Sequence, residues 1–310
     1  MVAYYVKRSR GEEFEKINKP IAKGLWVDAP TVSNEELKSL AEQYNLEQNI
    51  IIDVKDKQEL PRIEFSQESV YIFLRAPTMS RSGRVVTTPT LVVLQQGRFI
   101  TISTGATVMP QSVMCSEMIH ATSYPVELLQ GVIAAYISQY EELLLTTERT
   151  INDTGRRLHT HEVTNQDFIH FVTVEDNLTE YKVNLDGILA VVRRLKDIDH
   201  KFIDKNSKET LDDIALHIQQ LLVAVVSYDS RVQSIRDAYS TIANNTLNQR
   251  MKTLTVFTVL MTLPNVFYGM FGMNVTLPFM HETWAYAAIV GLTVFLIIIV
   301  YFVAKRLRIF

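Results

Sequence analysis

Cysteine is nearly absent from this 310-residue chain: Cys115 is the only one. No intrachain disulfide can form, which fits a reducing compartment for its polar part. Proline and glycine are missing from the middle. Seven of the nine prolines precede Val126, none lies between Pro125 and Pro264, and only Gly131, Gly155 and Gly187 interrupt that stretch. Without breakers, the middle is predicted to be long helices. Charge is also scarce, at 21% of residues with a net of -3, and no large basic patch is present, which argues against nucleic acid as a partner. The first ten residues lack an apolar core, so no signal peptide is expected and membrane insertion must depend on later segments. A P-loop, a glycine-rich dinucleotide fingerprint and a catalytic triad signature are all missing, so nothing argues for an enzyme.

What the chain does have is two apolar segments of membrane length near its C-terminus. Residues 253–273 are apolar apart from threonines and one asparagine, and residues 284–304 carry no charge. About twenty helical residues cross a bilayer core. The connection, residues 274–283, contains no lysine or arginine. Arg250 and Lys252 precede the first segment, and Lys305, Arg306 and Arg308 follow the second. By the positive-inside rule both termini are cytoplasmic and the connection is external. Trp284, Tyr286 and Tyr301 stand near the ends of the second segment, as interfacial aromatics do.

The two segments differ in character. The second is rich in Ile, Val and Leu all round and can face lipid. The first carries a stripe of polar and small residues: Asn248, Met251, Thr255, Thr258, Thr262, Asn265, Gly269 and Gly272. Steps of three and four keep these on one helical face. Such a stripe faces protein or water. It serves either as helix–helix packing with threonines bonded to their own backbone or as a pore lining built by several copies, since one hairpin cannot enclose a channel. Pro264, mid-span, is tolerable in a membrane helix and frees a carbonyl. Upstream, Leu211, Ile214, Ile218, Leu221, Val225, Tyr228, Val232, Ile235, Tyr239 and Ile242 alternate by three and four, a coiled-coil-type seam. A single helix over residues 208–272 would be about 100 Å long at 1.5 Å per residue, a rod able to couple a distant event to the membrane. The seam is expected to pack on helices at 125–160 and 165–201.

Residues 1–120 read as mixed α and β. Strands are predicted at 3–7, 24–28, 50–54, 62–65, 70–75, 90–95 and 98–103, with a hairpin turn at Gln96-Gly97. A helix capped by Asn34 is expected to run to about Tyr44. A sensor or scaffold role is the default for this part. The fold class is therefore an α+β domain (1–120), a helical stalk (121–252), a first span (253–273), an external loop (274–283), a second span (284–304) and a basic tail (305–310).

Gly272-Met273-Asn274, closing the first of two C-terminal spans ahead of a short loop and a basic tail, resembles the signature of the CorA family of divalent-cation channels, the GMN-motif magnesium transporters. Asn248-Gln-Arg-Met251-Lys252-Thr-Leu254-Thr255 is similar to the family's inner-pore run, and Asp213 and Asp237-Ala-Tyr239 fall where the family has acidic stalk residues. More loosely, residues 24–28 and 101–105 look like its N-terminal strands. The resemblance implies a funnel-shaped homopentamer in the bacterial or archaeal cell membrane, with the first span lining the pore. It implies Mg2+ as cargo and as regulator, self-association and lipid as partners, an Asn274 ring with Gly272 and Met273 at the outer mouth, and oxygen rings at Thr255, Thr258, Thr262 and Asn265 beside Gly269. Met251 and Leu254 would form the gate, Asn248 an inner ring, Asp237 a cation-concentrating ring, and Asp213 one side of a regulatory Mg2+ site. Glu282 would attract cations by charge.

The chain departs from the family pattern in two places. Phe271 replaces the usual tyrosine before the motif. The loop reads Leu277-Pro278-Phe279-Met280-His281-Glu282 where magnesium members often have Met-Pro-Glu-Leu. His281 is a softer ligand and leaves Zn2+, Co2+ or Ni2+ open as cargo. His159-Thr-His161-Glu162 has the look of a metal cluster but reads as a solvated loop. The favoured function is a Mg2+ channel driven by membrane potential. The alternatives are a zinc- or cobalt-type transporter or efflux protein of the same fold, and a non-conducting membrane-anchored scaffold.

Overall fold

The computed structural model describes residues 2–21, 23–66, 68–105, 111–114, 119–157, 165–197, 205–273 and 281–306. Seven strands form one sheet: β1 (Ala3–Val6), β2 (Glu15–Ile17), β3 (Leu25–Ala29), β4 (Arg62–Phe65), β5 (Val70–Met79), β6 (Val85–Gln95) and β7 (Arg98–Ser103). Their order is β2-β1-β3-β7-β6-β5-β4. Only β3 and β7 run parallel; the remaining pairs are antiparallel. Between β3 and β4 come α1 (Asn34–Tyr44), α2 (Gln48–Ile51) and a 3-10 turn (Ile52–Lys55). After β7 come α3 (Gln111–Met114), α4 (Pro125–Arg157), α5 (Asn165–Asp197), α6 (Lys205–Phe271) and α7 (Ala285–Arg306).

Strand alternation assigns the two faces of the sheet. Leu25, Val27, Ala29, Tyr71, Phe73, Leu91, Val93, Ile100 and Ile102 close a core with Leu37, Leu40, Ala41 and Tyr44 of α1 and Ile50, Ile51 and Val54 beyond it. The other face carries Trp26, whose ring packs among Tyr5, Phe14 and Phe99 and whose Nε1 donates to Thr101 Oγ1 at 3.0 Å. It receives α4 through buried Tyr136 and Tyr140, whose hydroxyls donate to Thr90 Oγ1 and the Arg75 carbonyl at 3.3 and 3.1 Å. Polar groups tie α5 down. Buried Arg75 donates from Nε to Thr87 Oγ1 at 2.6 Å, Thr87 donates to Glu180 Oε1 at 2.6 Å, and Asn184 Nδ2 donates to the same oxygen at 2.9 Å. Asn177 accepts from the Val85 amide at 2.8 Å. The hydrogen bonds offset much of the cost of burying these groups, although Asn184 Oδ1 is buried without a partner.

Several expectations hold and several are corrected. The helices at 125–157, 165–197 and 205–271 match the long helices expected, the last continuing through Pro264. The segment 50–54 is helical, not a strand: Ile50, Ile51 and Val54 are buried while Ile52 is 57% exposed, the pattern of a turn with a helical period. Ser33, not Asn34, caps α1, its Oγ accepting from the Glu36 amide while Glu36 accepts from the Ser33 amide, a reciprocal capping box. Strands β5 and β6 extend well past 75 and before 90, and β2 went unpredicted; a Glu-Lys-Ile triplet has no alternation long enough to read. The turn at Gln96-Gly97 is present, with Gly97 at φ 77° and its carbonyl accepting from the Gly24 amide at 2.7 Å.

The described residues group into two compact units, Met1–Ser234 and Ile235–Phe310. In the first, the α6 seam is buried at Leu211, Ile214, Ile218, Leu221, Val225 and Val232. Gln130 of α4 donates to the Ser207 carbonyl at 2.7 Å there. In the second, two helices are long and apolar enough to cross a membrane, the apolar part of α6 and all of α7.

Candidate functional site

The second unit places the polar stripe on one unobstructed face of α6. Asn248, Met251, Thr255, Thr258, Thr262, Asn265, Gly269, Gly272 and Met273 are all exposed, and so is Leu254 beside them. The stripe remains continuous because α6 passes through Pro264 without ending; proline lacks the amide that would bond the Leu260 carbonyl. Nothing lies within 4 Å of a Cβ built on Gly269, and on Gly272 it would meet only backbone oxygens of its own helix, Tyr268 O at 3.3 Å and Gly269 O at 3.5 Å.

The threonines of this face share one geometry. Thr255, Thr258 and Thr262 donate their hydroxyl hydrogens to the carbonyls of Met251, Leu254 and Thr258, at 2.9, 2.9 and 2.7 Å. A hydroxyl that has spent its proton on the helix shows only lone pairs outward. The face is thus a ladder of acceptors separated by one turn, with methyl groups beside them. It attracts donors, and the outer surface of a hydrated cation is made of donors.

The acidic residues lie apart. Asp212 is fixed by Lys196, whose Nζ donates to Oδ1 at 2.6 Å, whereas its neighbour Asp213 is exposed and joins no ion pair among the described residues. Adjacent carboxylates on a helix point about 100° apart, so one bonds α5 and the other does not. Sequence spacing alone could not separate them, because the deciding partner sits on another helix. Asp237 is exposed on α6, with its carbonyl accepting from Thr241 Oγ1 at 2.9 Å. Among the described residues no three His, Cys, Asp or Glu side chains gather as a metal cluster. His281 and Glu282 are exposed just before α7; the Glu282 carbonyl accepts from the Ala285 amide at 3.2 Å, which sets its carboxylate near the positive end of that helix. Asn274, Leu277, Pro278, Phe279 and Met280 lie outside the described residues, as do His159, His161, Glu162, Cys115 and Arg308.

One carboxyl group of the first unit is raised above its ordinary range. Asp28, half-buried on β3, has its carboxyl pushed above the ordinary range by loss of water, partly offset by the hydrogen bond from Thr101 Oγ1 at 2.7 Å. It lies in the sheet and is no part of the stripe.

Comparison with known proteins agrees with this architecture. The chain is 22% identical over 294 residues to the cobalt/magnesium transport protein CorA of Methanocaldococcus jannaschii, covering 91% of this chain and 90% of that one. The complete structure of the CorA magnesium transporter from the same organism superposes with a TM-score of 0.82 at 18% identity, covering 99% of this chain and 98% of the other. The full-length CmaX protein gives 0.75 at 15% identity, covering 99% and 97%. The family model described as CorA-like Mg2+ transporter protein matches residues 22–306, nearly the whole chain, and the protein belongs to that family of divalent-cation membrane transporters.

Proposed function

We propose that this chain is the subunit of a homopentameric Mg2+ channel, with the stripe of α6 lining the conduit and residues 274–283 at its outer mouth. The observation that carries the reading is the acceptor ladder: threonine hydroxyls bonded inward on an exposed helical face within a membrane-length segment. The name of the archaeal relative, a cobalt/magnesium transport protein, supports the choice of cargo.

Mg2+ is small and gives up water reluctantly. A conduit that moves it with its hydration shell needs acceptors for the hydrogens of that shell. Rings of Thr255, Thr258, Thr262 and Asn265 supply neutral oxygens, which attract a divalent ion without trapping it. Asn274, with Gly272 and Met273, forms the entrance, and Glu282 draws cations toward it. Met251 and Leu254 form an apolar constriction that closes by dewetting. Asn248 and Asp237 hold ions beneath it. The driving force is the membrane potential, about 2.3 kcal/mol per charge per 100 mV and twice that for a divalent ion. Mg2+ also binds at Asp213 between neighbouring copies and holds the conduit shut. Residues 1–252 and 305–310 are cytoplasmic in this scheme.

The test is flux in proteoliposomes under an inside-negative potential, with a trapped dye reporting Mg2+, Co2+ and Zn2+ in turn. Wild type should admit Mg2+. Asn274→Ala should abolish entry, and the paired Thr258→Val and Thr262→Val changes should reduce it by about tenfold or more with assembly intact, since each removes an acceptor without changing shape. Zn2+ or Co2+ entry without Mg2+ would reassign the cargo. No flux of any ion from assembled protein would leave a scaffold as the function.

A further inference from the structure

The acceptor ladder of α6 has one gap. From Thr255 onward its oxygens, on Thr258, Thr262 and Asn265, follow one another every three or four residues, about 4.5–6 Å along the helix. Between Asn248 and Thr255 the spacing is about 10.5 Å, because the intervening step of the same face is Met251. Met251 is 54% exposed, and Leu254 beside it is 58% exposed. The backbone does not fill the gap. The Met251 carbonyl already receives the Thr255 hydroxyl, and the Leu254 carbonyl that of Thr258, both at 2.9 Å. Between Asn248 and Asn265, a hydrated cation moving along this face meets apolar side chains only here.

The two apolar residues differ in chemistry. Leu254 is inert, whereas Met251 carries a thioether, which peroxides convert to a sulfoxide. In that step a sulfur lone pair takes one oxygen of hydrogen peroxide. The O–O bond breaks, an S–O bond forms, and the other oxygen leaves as water with both peroxide protons. Sulfur is oxidised by two electrons and the peroxide is reduced by two. The product carries a polar oxygen without a hydrogen of its own, an acceptor of the kind that the flanking rungs present. Exposure does not single out Met251, since Met261, Met270 and Met273 are exposed as well. Its place in the gap does.

We propose that Met251 is an oxidation site that sets the gate. Its sulfoxide completes the acceptor ladder, wets the constriction it forms with Leu254 and lets cations pass, and reduction back to the thioether restores closure. The proposal rests on the channel reading of α6 and adds to it a chemical modification of one named sulfur by a peroxide.

The experiment treats purified full-length protein with hydrogen peroxide, quenches with catalase, reconstitutes it in liposomes and follows Mg2+ entry with a trapped dye under an inside-negative potential. Peptide mass spectrometry of the same sample locates the added oxygen. Treatment should place oxygen on Met251 and raise entry by about tenfold, because a polar ring abolishes dewetting. Methionine sulfoxide reductase should remove both the oxygen and the rise. Met251→Leu keeps an apolar side chain of similar volume that peroxide cannot alter. Whatever its own rate, its ratio of treated to untreated entry should be close to unity, while Met261→Leu and Met270→Leu should keep the rise. Should Met251→Leu fail to assemble, Met251→Gln replaces it. That polar side chain of similar length should conduct at the raised rate before treatment and respond no further. No oxygen on Met251, unchanged entry with oxygen in place, or a full response in Met251→Leu would overturn the proposal and leave the channel standing. Assembled protein that admits no ion before or after treatment would remove the channel, and this proposal with it.

Discussion

The two units solve opposite problems with the same residue types. In residues 1–234 large apolar side chains are hidden: Trp26, Tyr71, Phe73, Phe99 and Tyr140 are at most 1% exposed. In the second unit the comparable side chains Phe257, Phe295 and Phe302 are between 57% and 62% exposed. The first unit closes its own core. The second has no core of its own size and relies on lipid around it. Polar groups follow the same division. In the first unit Thr87 of β6 and Glu180 of α5 bond across elements, whereas the stripe threonines bond backward along their own helix, as Thr146 and Thr150 of α4 also do, the solution a helix can use with no partner at all.

The sharpest way to break this comparison is to truncate one aromatic in each unit. Trp26→Ala should destabilise the sheet by about 3–5 kcal/mol, because it opens a cavity among Tyr5, Phe14 and Phe99. Phe257→Ala should leave the sheet unchanged. Hydrogen exchange of the β3 and β7 amides in full-length protein reads both, and equal protection in the two variants would mean that Trp26 is not holding a core. A smaller effect is expected from polar groups. Glu180→Ala leaves Thr87 without its acceptor and Asn184 with only the backbone carbonyl of residue 180, and should cost about 1–3 kcal/mol, detected as earlier thermal unfolding of the first unit, whereas Thr262→Val should leave that transition where it is.

The smallest expected effect has the opposite sign and depends on pH. Burial raises the Asp28 carboxyl above its ordinary range, so the fold disfavours the ionised form. Folded protein then holds a proton that unfolded protein would release, and stability is lost as pH rises from the ordinary carboxylate pKa through the raised one. Asp28→Asn keeps an acceptor for Thr101 and carries no charge. It should stabilise the first unit at neutral pH, and the gain should vanish as pH falls below the ordinary carboxylate pKa. A gain independent of pH in thermal melts would assign the effect to packing instead of charge.

Much of this was legible in the chain itself. The breaker-free middle gave its three helices, and the steps of three and four gave both the buried seam from Leu211 to Val232 and the exposed stripe from Asn248 to Gly272. The sheet domain was read less well. The segment 50–54 has the composition of a strand, yet it turns helically because Ile50, Ile51 and Val54 must reach one core together. Strand β2 is too short to announce itself. Ser33 outcompeted Asn34 as the cap because Glu36 stands at the reciprocal position.

The sequence by itself determined two membrane-length segments, the phase of the polar face on the first and the basic ends that flank them, since helical period and apolar length are properties of consecutive residues. Tertiary structure alone decided that Asp212 pairs with Lys196 while Asp213 joins no ion pair among the described residues, that Asp28 is half-buried beneath the sheet's second face, and that Arg75, Thr87 and Glu180 meet. Those outcomes depend on residues brought together from distant parts of the chain, and the energy of a buried charge or hydrogen bond is set by what surrounds it in space.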